Sequence, residues 1–223
     1  MSVSDQDVSD AVSAGLAALE GGELVLVYDG DDREGEVDVF LHADAVTPSA
    51  IADIRTVAGG LICVAIDAQS ADRLGLGFLE TMIDHPAAAH RPAYDARDSF
   101  SLPVNHRGTH TGITDRDRAQ TARAIGELTT DLTADETTFA ATFRAPGHVP
   151  ILRAAAGGLH NRTGHTELAV AMASAAGLAP AVVISEMLDS ETGDALSTTD
   201  AAAFASERGL MLLDSTQIID ALG

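Results

Sequence analysis

The stretch of sequence that says most about this protein is FRAPGHVPILRAAAGGLHNRTGHTELAVAMASAAGLAPAVVISEMLD, residues 143–189. Residues 166–176 predict a short helix, because Gly177 and then a proline follow in the usual order of helix stop signals. The next apolar run, residues 181–184, predicts a buried strand that carries Glu186 at its C-terminal end. A helix, a stop signal and a buried strand in this order indicate a fold that mixes helices with strands.

Residues 162–165, Arg-Thr-Gly-His, form the turn that enters this helix. Free N–H groups at a helix start favour a phosphate, and Arg162 can add a bidentate contact. The positive helix end also disfavours a protonated His165, so we expect its imidazole to stay free for a metal ion. Together with the carboxylate of Glu186, these features indicate a sugar-phosphate enzyme. A turn, a helix cap and a surface carboxylate explain the same residues about equally well.

The length of 223 residues suits one large domain or two small ones. No repeat, linker or boundary divides the chain, and helices alternate irregularly with strands. We therefore expect one α+β domain over residues 1–223, with a mixed β-sheet packed with helices. No apolar stretch is long enough for a membrane span, and the polar start does not resemble a signal peptide. The single cysteine, Cys63, fits a reducing cytoplasm.

The chain is strongly acidic, with a formal net charge of −21, and all 13 of its basic residues are arginines. Nucleic-acid binding is not expected, because a phosphate backbone requires a basic face. An acidic disordered tail is one explanation, but the charges are spread along the chain and alternate with apolar runs. We favour adaptation to a salty cytoplasm, where screening makes self-repulsion tolerable. The fold should then lose stability in dilute buffer and recover it in molar KCl.

An acidic segment, DGDDREGEVD at residues 29–38, follows a predicted buried strand at residues 24–28. If its second half is extended, Glu34, Glu36 and Asp38 point to one side. Clustered carboxylates suit a hard cation such as Mg²⁺. The segment does not match an EF-hand, and a solvated charged loop is the simpler alternative. The arginine among the carboxylates, directly after a strand, favours a site instead.

The rest of the chain supplies the other elements of the predicted domain. Apolar runs predict further strands at residues 37–41, 61–66, 100–105 and 210–213. Spacing and stop signals predict helices at residues 8–19, 48–58, 70–76, 115–128, 135–141 and 198–208, and Ser215 as the cap of a last helix. Pro103 places its strand at an edge or a bulge, and the Pro- and Ala-rich residues 85–98 predict a surface loop.

Five segments of the sequence form a specific set. They are DREGEVD (32–38), THTGITDRDR (109–118), FRAPGHV (143–149), RAAAGGLHNRTGHTE (153–167) and SEM (185–187). Together they resemble the 3,4-dihydroxy-2-butanone 4-phosphate synthase family, in its archaeal single-function form. The resemblance spans most of the chain and implies a three-layer fold with no cyclohydrolase domain fused behind it. The acidic, lysine-free composition suits a halophilic archaeon.

Members of this family convert D-ribulose 5-phosphate to L-3,4-dihydroxy-2-butanone 4-phosphate and formate, a lyase reaction of riboflavin biosynthesis. The resemblance therefore implies ribulose 5-phosphate as substrate and Mg²⁺ as cofactor, with Mn²⁺ as a possible substitute. It also implies a homodimer with active sites near the subunit interface, in the cytoplasm, without a nucleic-acid or membrane partner.

The resemblance further implies roles for individual residues. Glu34 and His165 resemble the metal ligands, and His148 and Glu186 resemble the catalytic residues. The residues that resemble the substrate contacts are Arg33, Glu34, Asp38, Arg162, Thr163, Gly164, His165, Thr166 and Glu186. The reaction requires a base to form an enediol and a metal or hydrogen bonds to hold its oxyanion. His148 and Glu186 both suit proton transfer, and the sequence leaves open which of them acts first.

A second hypothesis is a non-catalytic module that binds a divalent cation or a sugar phosphate. A third possibility is a different enzyme that acts on pentose phosphates, such as an isomerase or an aldolase. A Schiff-base aldolase is excluded, because the chain has no lysine to form the imine.

Overall fold

Seven strands and nine helices make up the part of the chain that the computed structural model describes, residues 5–89, 91–93 and 95–223, with side chains from residue 9 onward. The strands are β1 (Val25–Tyr28), β2 (Val37–His42), β3 (Cys63–Ile66), β4 (Phe100–His106), β5 (Phe143–Arg153), β6 (Ala181–Glu186) and β7 (Met211–Asp214). The helices are α1 (Asp5–Glu20), α2 (Pro48–Val57), α3 (Ala68–Arg73), α4 (Leu79–Met82), α5 (Asp115–Thr130), α6 (Glu136–Thr142), α7 (His165–Ala175), α8 (Thr198–Arg208) and α9 (Ser215–Leu222).

The strands form one sheet in the order β4-β5-β3-β6-β2-β1-β7. The β3–β5 and β1–β7 pairs are parallel, and the other pairs are antiparallel. The predicted mixed sheet is therefore confirmed.

The side chains of β2 show why helices cover both faces of the sheet. Val39 and Leu41 point to one face and pack with residues of α2, α5 and α8, whereas Phe40 points to the other and packs with residues of α1, α7 and α9. Successive strand side chains alternate between faces, so a strand that is buried throughout needs a layer on each side. The result is the three-layer α+β arrangement that the resemblance implied.

Local signals set most element ends as predicted. Thr114 caps α5 by accepting a hydrogen bond from the backbone N–H of Asp117, and Gly209 ends α8 in the left-handed conformation. Pro103 lies in the edge strand β4, where the register with β5 shifts, as its ring requires. The predicted cap of the last helix was wrong, because Asp214 caps α9 and Ser215 is its first residue.

Strand β5 was missed, and the helix predicted at residues 70–76 lies earlier, at Ala68–Arg73. Two prolines and a glycine interrupt the apolar pattern of β5, although β4 pairs along most of its length. A Cβ on Gly147 would lie 2.0 Å from the backbone carbon of Val104, so only glycine permits this approach. The predicted loop at residues 85–98 contains a short 3-10 turn, Pro86–Ala89, and its His90 and Tyr94 lie outside the described residues.

The register of three strands determines which polar residues meet. Tyr28 of β1 is opposite Val37 of β2, and Asp38 of β2 is opposite Glu186 of β6. The acidic segment between β1 and β2 therefore lies beside the C-terminal end of β6. Within the described chain, none of the helices has the length and apolar character needed to cross a membrane.

Candidate active site

A cavity of 170 Å³ lies at this end of the sheet, beside the start of α7. Its polar wall combines the acidic segment, the turn before α7 and the end of β6, and includes Glu34, Glu36, Asp38, Arg162, His165, Thr166 and Glu186. The three carboxylates of the acidic segment thus share one cavity, as expected if they point to one side. Segments that are distant in sequence meet here because the strands that carry them are neighbours.

The buried carboxylate of Asp29 folds the acidic segment. It accepts hydrogen bonds from the backbone N–H groups of Glu34, Gly35 and Glu36, at 3.1, 2.9 and 3.2 Å. Gly35 supports the turn with a positive φ of 71°. One side chain therefore holds the backbone of the whole segment in place and directs Glu34 towards His165.

His165 lies at the centre of the acidic groups. Its Nδ1 is 3.5 Å from Asp38 Oδ2 and 3.9 Å from carboxylate oxygens of both Asp29 and Glu34. Its Nε2 is 3.3 Å from the backbone oxygen of Val27, which orients the ring. The sequence placed His165 at the turn, but only the fold shows how many carboxylates surround it.

The donor atoms of this cluster fit a divalent cation. Ligand atoms of Asp29, Glu34 and His165 all lie within 4.8 Å of one another. Among the described residues, the buried His165 Nδ1 and Asp38 Oδ1 have no hydrogen-bond partner. Buried polar atoms without partners are costly, and a cation bound at this cluster would satisfy His165 Nδ1. Because both oxygens of Asp29 already accept backbone hydrogen bonds, Glu34 and His165 are the more available ligands.

The expectation that the helix start keeps His165 neutral is wrong for the protein chain by itself. Burial lowers the pKa of His165, but the negative charges of Asp38, Asp29 and Glu34 outweigh it and raise the pKa to about 9. The negative charges of three carboxylates within 3.9 Å of Nδ1 affect the imidazole more than the partial positive charge of the helix end does. A metal ion must therefore displace a proton from this imidazole.

Two acidic side chains of the cavity have raised pKa values. Burial raises the pKa of Asp38 to about 8, a rise that His165 opposes and that Glu186, Glu34 and Glu36 reinforce. Burial also raises the pKa of Glu36, with the charges of Glu34 and Glu186 as further causes. Carboxylates crowded in a low-dielectric cavity cannot all ionise without a compensating positive charge.

Glu186 is held at the end of β6 by the turn before β3. Its Oε2 accepts a hydrogen bond from the backbone N–H of Leu61 at 2.8 Å. A Cβ on Gly60 would lie 2.4 Å from the same oxygen, so the glycine leaves the space that the carboxylate occupies. The side chain of Glu186 is therefore fixed at the cavity by neighbouring backbone.

Arginines form the other side of the site. Asp95 Oδ2 accepts hydrogen bonds from Arg33 Nη2 at 2.9 Å and from Arg162 Nε at 2.6 Å. Arg162 Nη1 also donates to Glu167 Oε2 at 2.6 Å. A Cβ on Gly164, which caps α7, would lie within 3 Å of both guanidinium groups. The two arginines thus meet at the start of α7, where the sequence predicted a phosphate site.

His148 is not among the residues that line this cavity. It is exposed on β5, where its backbone N–H donates to Asn105 Oδ1 at 2.9 Å. The ring of His148 is also within hydrogen-bond distance of the Asn105 amide. Thr163 lies in the turn beside Gly164 and does not line the cavity either. One described chain therefore brings together the predicted ligands, arginines and Glu186, but not His148.

Sequence reasoning did not select several residues that build the site. Asp29 belongs to the acidic segment, and its position directly after a strand was a usable signal. Glu167 is buried on α7, pairs with Arg162 and accepts a hydrogen bond from the backbone N–H of Ala155 at 2.7 Å. No local pattern marks Asp95, which lies in the Pro- and Ala-rich loop at residues 85–98.

Comparison with known proteins shows similarity to one enzyme family over nearly the whole chain. A family profile described as 3,4-dihydroxy-2-butanone 4-phosphate synthase matches residues 13–221. The Archaeoglobus fulgidus protein of that name is 46% identical, over 92% of this chain and 91% of its own. The Methanosarcina mazei protein of the same name is 42% identical, over 96% of this chain and 91% of its own.

A Mycobacterium tuberculosis protein named riboflavin biosynthesis protein RibBA is 37% identical, over 95% of this chain and 46% of its own. Two solved structures of 3,4-dihydroxy-2-butanone 4-phosphate synthase are also similar. The cation-free form has a TM-score of 0.78 at 29% identity, covering 94% of this chain and 95% of its own. The complex with two magnesium ions has a TM-score of 0.75 at 30% identity, covering 94% of each chain.

Proposed function

The chain belongs to the 3,4-dihydroxy-2-butanone 4-phosphate synthase family, and we propose that its acidic cavity converts D-ribulose 5-phosphate to L-3,4-dihydroxy-2-butanone 4-phosphate and formate for riboflavin biosynthesis. One observation carries the proposal: carboxylates, an imidazole and Arg162 from distant segments line one cavity, and Arg33 shares the carboxylate of Asp95 with Arg162. The products together contain every atom of the substrate. The reaction therefore needs acid–base groups and charge stabilisation, without an external oxidant or reductant.

Glu34 and His165 would hold the divalent cation of this site, Mg²⁺ or Mn²⁺. The cation would supply stabilisation of negative charge that develops on substrate oxygens. Asp38 lies 3.5 Å from His165 and orients the imidazole, while Asp29 fixes the backbone that carries Glu34. The chain thus contributes two ligands and the groups that hold them in position.

Arg33 and Arg162 would bind the phosphate of the substrate. Both guanidinium groups lie at the start of α7, where Gly164 and Thr166 belong to the helix start with its free N–H groups and Thr163 lies in the turn before it. Fixing the phosphate here directs the carbon chain of the sugar into the cavity towards Glu186. A phosphate contact at one end and a cation at the other would orient the reacting carbons between them.

Glu186 and His148 would exchange protons with the substrate. Glu186 is held rigidly by Leu61, so its carboxylate can take a proton from a substrate hydroxyl at a fixed position. His148 is exposed on β5 and outside the cavity of its own chain. We therefore infer a homodimer in which His148 of one subunit completes the cavity of the other.

Formate release from ribulose 5-phosphate tests the proposed function. We expect formate and a four-carbon phosphate in equal amounts in molar KCl with Mg²⁺, and neither product with EDTA. Glu186→Gln should abolish formate release and leave the fold and ribulose 5-phosphate binding intact. Consumption of the substrate without formate would indicate an isomerase or another lyase. Binding without any turnover would favour the non-catalytic module.

A further inference from the structure

Asp95 lies between the two arginines assigned to the phosphate. The same oxygen, Oδ2, is 2.9 Å from Arg33 Nη2 and 2.6 Å from Arg162 Nε. The side chains of Asp95 and Arg162 are each 11% exposed, and that of Arg33 is 12% exposed. Burial raises the pKa of Asp95, but hydrogen bonds and charge from the two arginines outweigh it and lower the pKa. Asp95 is therefore a charged group in a largely enclosed anion position.

Other acidic groups hold the two arginines independently of Asp95. Glu167 accepts a hydrogen bond from Arg162 Nη1 at 2.6 Å, and its second oxygen is fixed by the N–H of Ala155 at 2.7 Å. Arg33 Nε lies 3.9 Å from the buried carboxylate of Asp29. If Asp95 moves away, Arg162 keeps its hydrogen bond to Glu167 and Arg33 keeps the charge of Asp29 beside it, so neither arginine is left without an acidic neighbour.

The surroundings of Asp95 leave space for such a movement. A cavity of 670 Å³ borders Asp95 and Arg162, and Arg91 and Arg97 also line it. The guanidinium of Arg97 lies 3.6 Å from the centre of the Phe78 ring, which anchors the following part of the segment. A carboxylate that leaves the arginine pair can thus turn into a cavity that Arg91, Arg97 and Glu80 also line.

We propose that Asp95 is an internal competitor for the phosphate position. Its carboxylate occupies Arg33 and Arg162 in the free protein, and the phosphate of a ligand displaces it from both. The inference rests on the proposed function, because it takes the arginine pair as the phosphate site. The Asp95 carboxylate belongs to the same chain and therefore competes at a high effective concentration, so a phosphate displaces it only when the rest of the ligand also binds. Asp95 then discriminates between whole sugar phosphates and inorganic phosphate.

Binding of inorganic phosphate tests the competition directly. We would measure it by isothermal titration calorimetry at fixed KCl, with the full chain, its Asp95→Asn and Asp95→Ala variants, and Asp84→Asn as a control. The control removes one negative charge from an exposed residue near the start of the same loop. We expect the dissociation constant for phosphate to fall by about tenfold or more in both Asp95 variants, and to stay unchanged in the control.

An unchanged or higher dissociation constant in Asp95→Asn, which keeps the size of the side chain, would overturn the inference. Asp95 would then support the arginines and not compete with phosphate. An equal gain in Asp84→Asn would also overturn it, because general charge repulsion would be the cause. Formate release separates the two proposals. If the unaltered chain releases formate and the Asp95 variants bind phosphate no more tightly, only the competition fails. If phosphate binding tightens but no formate is released, the competition stands and the proposed reaction fails.

Discussion

A heterodimer of one His148→Ala chain and one Glu186→Gln chain should regain about half of the activity of the unaltered dimer. Each altered residue alone removes a proton-transfer group, so each variant homodimer should be about a hundredfold to ten-thousandfold less active. The expected recovery follows from where the two residues lie. Glu186 lines the cavity of its own chain, whereas His148 lies outside it.

The magnitude comes from the symmetry of the inferred dimer. Each site takes Glu186 from one subunit and His148 from the other, so one site of the heterodimer contains both substitutions and the second contains neither. One intact site in two gives half of the activity. Glu186 in the intact site keeps its hydrogen bond from Leu61 at 2.8 Å, because that contact lies within one chain.

The assay requires co-expression of the two variants with different affinity tags and purification over both. Formate release per dimer is then measured against the unaltered protein and both variant homodimers. A heterodimer of Glu34→Gln and Glu186→Gln is the matched control. Both of its substitutions lie in the cavity of the chain that carries them, so each site keeps one defect and no activity should return. Failure of the first heterodimer to exceed its parent homodimers would refute the shared site, and recovery in the control would refute the assignment of Glu34 and Glu186 to one cavity.

Two further predictions concern the buried charges. The affinity for Mg²⁺ should rise by about tenfold per pH unit between pH 7 and 9, because the pKa of His165 is raised to about 9 and the cation must displace its proton. Calorimetry in buffers of different ionisation enthalpy measures the affinity and the number of protons released on binding. A pH-independent affinity would contradict the ligand role of His165. Glu167→Ala should lower the free energy of unfolding by about 3 kcal/mol, because it breaks a buried pair with Arg162 and leaves the N–H of Ala155 without its acceptor. Denaturant unfolding checks this against Glu207→Ala, an exposed control, and equal effects of the two changes would show that the buried pair adds nothing.

Features that depend on a few neighbouring residues could be predicted from the sequence. The end of α8 needs only a residue such as Gly209 that adopts the left-handed conformation. The cap of α5 needs only the hydroxyl of Thr114, which accepts a hydrogen bond from the backbone N–H three residues later. These properties are local, so the sequence determines them before the chain is folded.

Prediction failed where the local pattern was broken or where the partner was distant. Strand β5 contains two prolines and a glycine, and pairing with β4 forms it despite weak local preference. Asp95 contacts Arg162, which is 67 residues away, and nothing near Asp95 in the sequence indicates that pair. Contacts of this kind exist only after the strands have paired.

The sequence by itself therefore determined the mixed α+β class, the ends of most helices and the residue types of the site. The tertiary structure decided how those residues act on one another. The pKa of His165 is raised because three carboxylates from separate positions surround it, whereas the helix that it begins acts in the opposite direction. The side chain of His148 suits proton transfer, yet its position on β5 places it outside the cavity of the chain that carries it. Residue chemistry is encoded one position at a time, whereas electrostatic environment and access depend on distances that only the folded chain defines.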